Sequence, residues 1–330
     1  MKYSRISLRE RISIEKYLSH EKSYGEIGRL LGRNKSSIQR EVQPFGRGRY
    51  RALKAQWYSQ KNASLRKQGY CKLSNDAKLK EYVQEKLALR WSPEEISKRI
   101  AMDYPEDKQM RVSHETIYSF IYLRSKKSLR ECLKNNLRRG KKKRGRPRSK
   151  QEDKRGKIPD AISIEERPKE VEGREIPGHW EGDLIIGKGH QSAIGTLAER
   201  TTRTVIMVKL SKFDATSVRQ AFEREFGSIP EQMKKTMTYD NGKEMTQHKE
   251  FTANTDIKVY FAHPYSPWER PTNENTNGLI RDYFPKGTDF NQISEQRIKE
   301  VQNQLNERPR KVLQWHTPKE VFYKLAGSWP

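Results

Sequence analysis

Between residues 138 and 157 the chain carries twelve lysines and arginines against two acids. Such a stretch buries too little apolar surface to offset the entropy of ordering it, so it reads as a solvated tether. It separates a basic, helix-patterned part from a later part rich in apolar β-runs, which excludes one core spanning all 330 residues. Hydrophobic residues make up 33% of the chain, below the usual ~45–50%, and several small domains are expected. Lys and Arg total 68 against 42 Asp and Glu, a net charge of +26. That imbalance points to a polyanion, nucleic acid ahead of an anionic membrane. No apolar run reaches the ~20 residues of a membrane span, and MKYSRISLRERISIEKYL lacks the apolar stretch of a signal peptide. Two cysteines, Cys71 and Cys132, exclude a disulfide framework and a four-cysteine zinc site, and a reducing, cytoplasmic location is expected.

In residues 7–42, Ile12, Ile14, Tyr17 and Leu18 recur at helical spacing. Ser23 followed by Glu26 fits a capping box, Ile27, Leu30 and Leu31 face a core, and Gly32 suits a helix C-terminus. Ile38 and Val42 continue the apolar face on a second short helix, and the two helices with their tight turn make a helix-turn-helix. Its second helix presents Lys35, Ser36, Ser37, Gln39 and Arg40 outward, residue types that reach bases and phosphates in a major groove. A plain helical hairpin with a solvated basic face fits the same pattern; the net charge favours DNA. The next segment interleaves Tyr50, Trp57 and Tyr58 with Arg47, Arg49, Arg51 and Lys54, either as a phosphate-tracking arm or as a charged helix with one packed aromatic face.

A second helical unit has Leu79, Tyr82, Val83, Leu87 and Leu89 on one stripe, then Ser92, Pro93 and Glu95 at a helix start. Ser113 caps a further helix with Ile117, Phe120 and Ile121 inward, a second helix-turn-helix suited to packing, dimerisation or DNA reading. In the tether, Arg144-Gly145-Arg146-Pro147 has the form of an AT-hook that lies in a narrow minor groove, with nonspecific phosphate contact as the plainer reading.

Beyond residue 178 the pattern is three strands, helix, strand, helix, strand, helix, the order of a ribonuclease-H-like domain with a mixed sheet. GHWEGDLIIGKG is the first strand, and Asp183 interrupts its apolar run, where aspartate is disfavoured. TMTYDNGKE ends a strand at Asp240, and SPWERPTNENTNGLIRDYFP enters a helix near Glu274. One acid on the central strand, one ending its neighbour and one on a facing helix suit two hard Mg²⁺ ions about 4 Å apart in phosphoryl transfer. Taken singly, Asp183 also fits an exposed edge strand, Asp240 an Asp-Asn-Gly turn and Glu274 a helix surface. Glu181, Glu244 and Glu269 compete for the role on spacing alone.

The segments HWEGDLIIGK, TYDNGKE, SPWERPTNENTNGLIRDYFPKGTDF and LNERPRKVLQWHTPKEVF bear a strong resemblance. From about residue 5 to 326 the chain resembles the IS-thirty family of bacterial insertion-sequence transposases, of the DDE group. The resemblance implies a catalytic and metal-binding triad of Asp183, Asp240 and Glu274, the last two separated by thirty-three residues. It also implies paired N-terminal helix-turn-helix modules that recognise the element's terminal inverted repeats. Two positions depart from the family: Pro271 stands where members have Gly, and His263 where they have an acid or Cys.

Supporting roles follow. Asn241 and Asn277 are candidates to hydrogen-bond the triad or DNA, with turn and helix-surface roles as the alternative. Trp268 is read as stacking on a base or anchoring its loop, and Arg270 and Arg281 as phosphate contacts. Arg308, Arg310 and Lys311 are expected to extend the DNA surface, and His179 and His190 to be ordinary strand-end histidines.

The expected organisation is a first helix-turn-helix module over 1–45, a basic arm over 46–75 and a second module over 76–136. A basic linker over 137–160, a ribonuclease-H-like α/β catalytic domain over 161–290 and a helical extension over 291–330 follow. The expected activity is metal-dependent cleavage and strand transfer on double-stranded DNA, with two Mg²⁺ ions for which Mn²⁺ substitutes and no small-molecule cofactor. A homodimer or higher assembly would act on two element ends. A DNA-binding repressor with a degenerate acidic domain, or a plain metal-dependent nuclease, are the alternatives.

Overall fold

The computed structural model describes residues 5–67, 72–124, 158–210, 212 and 214–329. The tether, with Arg144 and Arg146, lies outside the described residues. The chain divides into two compact units, Met1–Ala77 and Lys78–Pro330.

The first unit holds α1 (Leu8–Ser19), α2 (Tyr24–Leu31), α3 (Lys35–Val42) and α4 (Ala52–Lys67). Reciprocal capping boxes, Ser7 with Glu10 and Ser23 with Glu26, start the first two helices. Gly32 ends α2 in the left-handed conformation at φ 62°, and the Asn34 side chain caps α3 by accepting from the Ser36 amide. Ile14, Leu18, Ile27, Ile38, Val42 and Tyr50 form the core. Two expected core residues face water instead: Ile12 is 53% exposed and Leu30 54%. The inward stripe of α1 runs through Arg11, Ile14 and Leu18, because buried Arg11 pairs with Glu41 at 2.7 Å and also bonds Gln56. That turns Ile12 outward.

On α2 the inward face is Ile27 and Gly28. A Cβ on Gly28 would stand 2.7 Å from the Arg33 carbonyl oxygen, so only glycine lets α2 close onto the turn. The segment after α3 is a helix, not an extended arm. Tyr50 is buried with its hydroxyl 3.3 Å from Glu41 Oε1, and Phe45 packs edge-on against Tyr50 and Tyr58, while Trp57 stays exposed.

The second unit begins within α5 (Ala77–Ala88) and continues through α6 (Pro93–Asp103) and α7 (His114–Ser119). Ser92 and Glu95 form a capping box with Pro93 in the first turn, and Ser113 caps α7. Leu79, Val83, Leu87, Ile96, Ile100, Ile117 and Ile121 are fully buried.

A five-stranded sheet follows in the order β3-β2-β1-β4-β5: β1 (His179–Ile186), β2 (Ala193–Glu199), β3 (Val205–Leu210), β4 (Thr236–Tyr239) and β5 (Lys258–Phe261). β1 pairs antiparallel with β2 and parallel with β4, so the sheet is mixed and β1 is central. Period-two alternation sorts the strands between two cores. Trp180, Leu197, Ile206 and Val208 meet α8 (Ala215–Gly227) and α9 (His248–Thr255) through Phe222, Phe226 and Phe251. Ile185, Ile194, Val205 and Met207 meet α10 (Pro271–Tyr283) and α11 (Glu295–Asn306) through Leu279, Ile280, Ile298 and Val301.

The C-terminal segment, ending in α12 (Pro318–Ala326), binds the helical part of its own unit. Arg308, 3% exposed, donates from Nε to both Glu95 carboxylate oxygens at 3.1 and 3.0 Å. Lys311 pairs with Glu94 at 3.0 Å, Arg99 with Glu320 at 2.5 Å, and Arg310 donates to the Leu305 carbonyl. The expectation that Arg308 and Arg310 extend a DNA surface is therefore corrected. Arg308 neutralises a carboxylate that is otherwise buried in a helix cap, and Arg310 satisfies a helix carbonyl.

Gly28→Ala is expected to destabilise the first unit by about 1–3 kcal/mol, the usual cost of forcing a methyl into a packed contact. Urea unfolding followed by amide exchange over residues 24–42 checks this, and an unchanged midpoint would refute the close approach.

Candidate active site

The odd-numbered residues of β1, Glu181, Asp183 and Ile185, face α10. Asp183 therefore sits on the central strand, not on an edge. The β1–β4 register runs from His179↔Thr236 to Glu181↔Thr238. Continued by two residues, it sets Asp183 beside Asp240, just past the end of β4. Asp240 Oδ1 accepts the Gly242 amide at 3.1 Å and Oδ2 lies 3.4 Å from Arg270 Nη2, so the turn and the acid site each use one oxygen. Asp183 Oδ2 accepts from Asn277 Nδ2 at 2.7 Å, and its Oδ1 lies 3.9 Å from Arg270 Nη1. Burial pushes the Asp183 carboxyl above its ordinary range, Arg270 opposes that, and the Asp240 charge adds to it.

The helix that faces this pair is held by β1 itself. Arg270 supplies no side-chain cap to α10. Glu181, fully buried, accepts the Asn273 amide at 2.7 Å and the Arg200 guanidinium at 2.9 Å. One turn along, Asn277 reaches Asp183. Glu274 lies between these two grips, one helical turn from Asn277, with an exposed side chain. Among the described residues no three His, Cys, Asp or Glu side chains lie close enough together to hold a metal ion. The structure brings Asp183 and Asp240 together around Arg270 and does not gather Glu274 with them within reach of one ion.

The competing acids are engaged elsewhere. Glu181 is the helix cap. Glu269 accepts both the backbone amide and Nδ1 of His263, each at 2.8 Å. The Glu244 carboxylate lies against Gly242, where a Cβ would collide with it.

The remaining expected residues take these places. Asn241 donates to the Ala262 carbonyl at 2.8 Å, tying the turn to the end of β5. Trp268 is 70% exposed on the loop entering α10. Arg281 donates to the Ile186 carbonyl at 2.9 Å, and Arg270 to that of Gly182 at 2.9 Å, so both anchor α10 to β1. In the first unit Lys35, Ser36, Gln39 and Arg40 are exposed on α3 and Ser37 is half-buried. Ser36 is also committed to the Asn34 cap. His179 is neutral, its imidazole pushed down to about 4 chiefly by burial. Thr196 escaped the sequence reading. Its hydroxyl lies within 3.2–3.5 Å of the Asp183 carbonyl and of the Asn273 and Asn277 side chains. The signal for the cap was present in Glu181-Gly182-Asp183, two acids on one face of one strand.

Comparison with known proteins agrees with this layout. The family model described as integrase core domain matches residues 174–267, and the helix-turn-helix domain model matches residues 2–43. The transposase for insertion sequence element IS1086 of Cupriavidus metallidurans is 42% identical over 329 residues, 99% of this chain and 96% of that one. Transposase InsI for insertion sequence element IS30A of Escherichia coli K12 is 41% identical over 320 residues, 96% of this chain and 83% of that one. Among solved structures, the catalytic core domain of BIV integrase overlaps 45% of this chain and 95% of its own at 17% identity, with a TM-score of 0.37.

Glu181→Ala is expected to cost about 3–5 kcal/mol, because Arg200 would stay buried without its counter-charge. Urea unfolding measures it, and a loss below about 1 kcal/mol would show that the cap is not structural. A second expectation concerns pH. Glu269 holds the His263 imidazole above its ordinary value. The charged part of the clamp across residues 263–269 is therefore complete below the free-histidine range and is lost as pH rises through the raised value, while the backbone amide bond to Glu269 remains. An NMR titration of His263 with amide exchange over the loop should show both together, and a His263 titrating at or below the free-histidine value would contradict the clamp.

Proposed function

The chain belongs to the IS30 family of insertion-sequence transposases, and we propose that it cuts and joins DNA at its element's terminal inverted repeats with Asp183, Asp240 and Glu274. The observation that carries this reading is the pairing of Asp183 with Asp240 around one cation at the centre of the mixed sheet, with Glu274 one turn along the facing helix.

The donor chemistry of Asp183 and Asp240 fits a divalent metal, and Glu274 would have to close on the pair to complete the set. Carboxylate oxygens are the hard donors that Mg²⁺ and Mn²⁺ take, and this pair already gathers a guanidinium. Asp183, Asp240 and the exposed Glu274 would hold two Mg²⁺ ions, or Mn²⁺ in their place. The ions supply the charge that activates an attacking oxygen and steadies a leaving one. The chain's own residues do the rest. Asn277 orients Asp183, and Glu181 fixes the first turn of α10, the turn that carries Glu274. Water attacks the phosphorus at the element end, and the P–O3′ bond breaks to leave a 3′-hydroxyl. That hydroxyl then attacks a target phosphodiester, forming one P–O bond as another breaks.

Lys35, Ser37, Gln39 and Arg40 on α3 suit a major groove, and Trp268 suits a base at the element end. Arg144 and Arg146 would add phosphate or minor-groove contacts. Two ends must be processed together, which favours a homodimer or higher assembly on double-stranded DNA in the bacterial cytoplasm. Among the described residues no helix is long and apolar enough to cross a membrane.

Asp240→Ala tests the reading on an end-containing duplex with Mg²⁺ or Mn²⁺. Cleavage and joining should fall by about a thousandfold or more, equivalent to about 4 kcal/mol, with end binding retained. Parental rates of cleavage and joining would overturn the triad.

A further inference from the structure

We propose that Arg270 is an internal counter-cation of the catalytic site, holding Asp183 and Asp240 together until a divalent ion displaces its guanidinium from them. The proposal rests on the catalytic reading above. Two carboxylates on adjacent parallel strands, one of them mostly buried, repel each other unless a positive charge stands between them. Arg270 provides it, with Nη2 3.4 Å from Asp240, Nη1 3.9 Å from Asp183 and a side chain only 14% exposed. An arginine keeps its charge throughout the ordinary pH range, so it leaves such a pair only when another cation outcompetes it.

The geometry separates this pair from the structural ones. Arg200 and Glu181 meet at 2.9 Å, both buried, and Arg308 and Glu95 at 3.0 Å. Arg270 approaches its two acids at longer range, and Asp240 is open to solvent. Its short contact is the one to the Gly182 carbonyl at 2.9 Å. A metal on the acids does not compete for that carbonyl, but Nη1 makes this contact and also faces Asp183, so displacement moves it from both. Exchange does not require α10 to move. The Arg270 carbonyl already accepts the Glu274 amide at 3.1 Å, so the backbone of Arg270 is the start of the helix and only its side chain needs to shift. Binding of the metal and binding of the guanidinium to the same oxygens are then negatively linked, and the linkage is reciprocal.

Neutralising any cation this close to the two acids raises metal affinity through space, so tighter Mn²⁺ binding shows that Arg270 opposes the metal, and the position of its guanidinium beside bound Mn²⁺ shows whether it is displaced. The test is Mn²⁺ titration by electron paramagnetic resonance on the full chain without DNA, using the parent, Arg270→Gln, Arg270→Lys and Asp240→Ala. Arg270→Gln should bind Mn²⁺ about fivefold tighter or more, while Arg270→Lys stays near the parent. Its metal-free unfolding temperature should fall and its rise on adding Mn²⁺ should be larger than the parent's. Equal or weaker Mn²⁺ binding by Arg270→Gln, with the parent binding and Asp240→Ala not, overturns the counter-cation alone. A parent that binds no more Mn²⁺ than Asp240→Ala overturns the catalytic reading with it. Parent crystals soaked in Mn²⁺ decide displacement, even should Arg270→Gln fail to fold. A guanidinium moved away from the carboxylates supports the proposal, and one still within 4 Å of both beside the ion overturns it.

Discussion

Two hydrogen bonds from β1 to α10 hold the working part of the molecule together. Glu181 caps the helix through the Asn273 amide, and one turn later Asn277 grips Asp183. Because side chains alternate along a strand and recur every three to four residues along a helix, residues 181 and 183 meet residues 273 and 277 in step. Glu274 is carried between the two contacts. A strand and a helix ninety residues apart in sequence are thus locked in rotation and in translation, and apolar packing of Leu279 and Ile280 on Ile185 and Ile194 secures the other end. Arg270 and Arg281 add bonds to the Gly182 and Ile186 carbonyls, so removing one polar contact would loosen the helix's seating rather than free it, which matters more to a carboxylate that must meet two others than to the core.

The strongly positive chain uses its arginines in two ways. Several are internal fasteners: Arg11 to Glu41, Arg200 to Glu181, Arg308 to Glu95 and Arg99 to Glu320. These are short contacts, and in the first three the arginine is buried, so losing its acid strands a charge in a poorly solvated place. Lys35 and Arg40 on α3 are exposed, as a DNA-facing helix requires. These pairs already cancel within the net charge of +26, so the excess positive charge is carried by other lysines and arginines. Position in the fold, not composition, decides which cations DNA meets.

Much of this was legible beforehand. The helix caps at Ser23, Ser92 and Ser113 and the left-handed Gly32 were readable, since local backbone chemistry sets them, and so was the order of strands and helices along the chain. The core of the first unit was read less well. A stripe of apolar letters put Ile12 inside, whereas the fold buries Arg11, whose aliphatic stem and paired guanidinium substitute for a hydrophobic residue. The competition among six acids could not be resolved by spacing. The fold engages Glu181 with Arg200 and Glu269 with His263, pairings that spacing alone does not reveal. The role of Arg270 was hidden for the same reason. Its neighbours on the page are Glu269 and Pro271, and its partners in space are Asp183 and Asp240.

The two departures from the family bear on the same few residues. Pro271 occupies the first position of α10, where a missing amide hydrogen costs no helix bond and the ring pre-sets the helical φ. A proline also restricts the residue before it, and Arg270 stands at φ −123°, ψ 52°, outside the helical region. That backbone setting directs the guanidinium back over β1, toward the Gly182 carbonyl and the two aspartates. His263 ties up Glu269, an acid that lies next to Arg270 in sequence and would otherwise compete with Asp183 and Asp240 for its charge. Glycine at 271 would widen the choice of conformations at 270, and an acid at 263 would add a negative charge beside Glu269. Both departures therefore narrow the conformations open to the loop entering α10, and with them the positions that Arg270 can take.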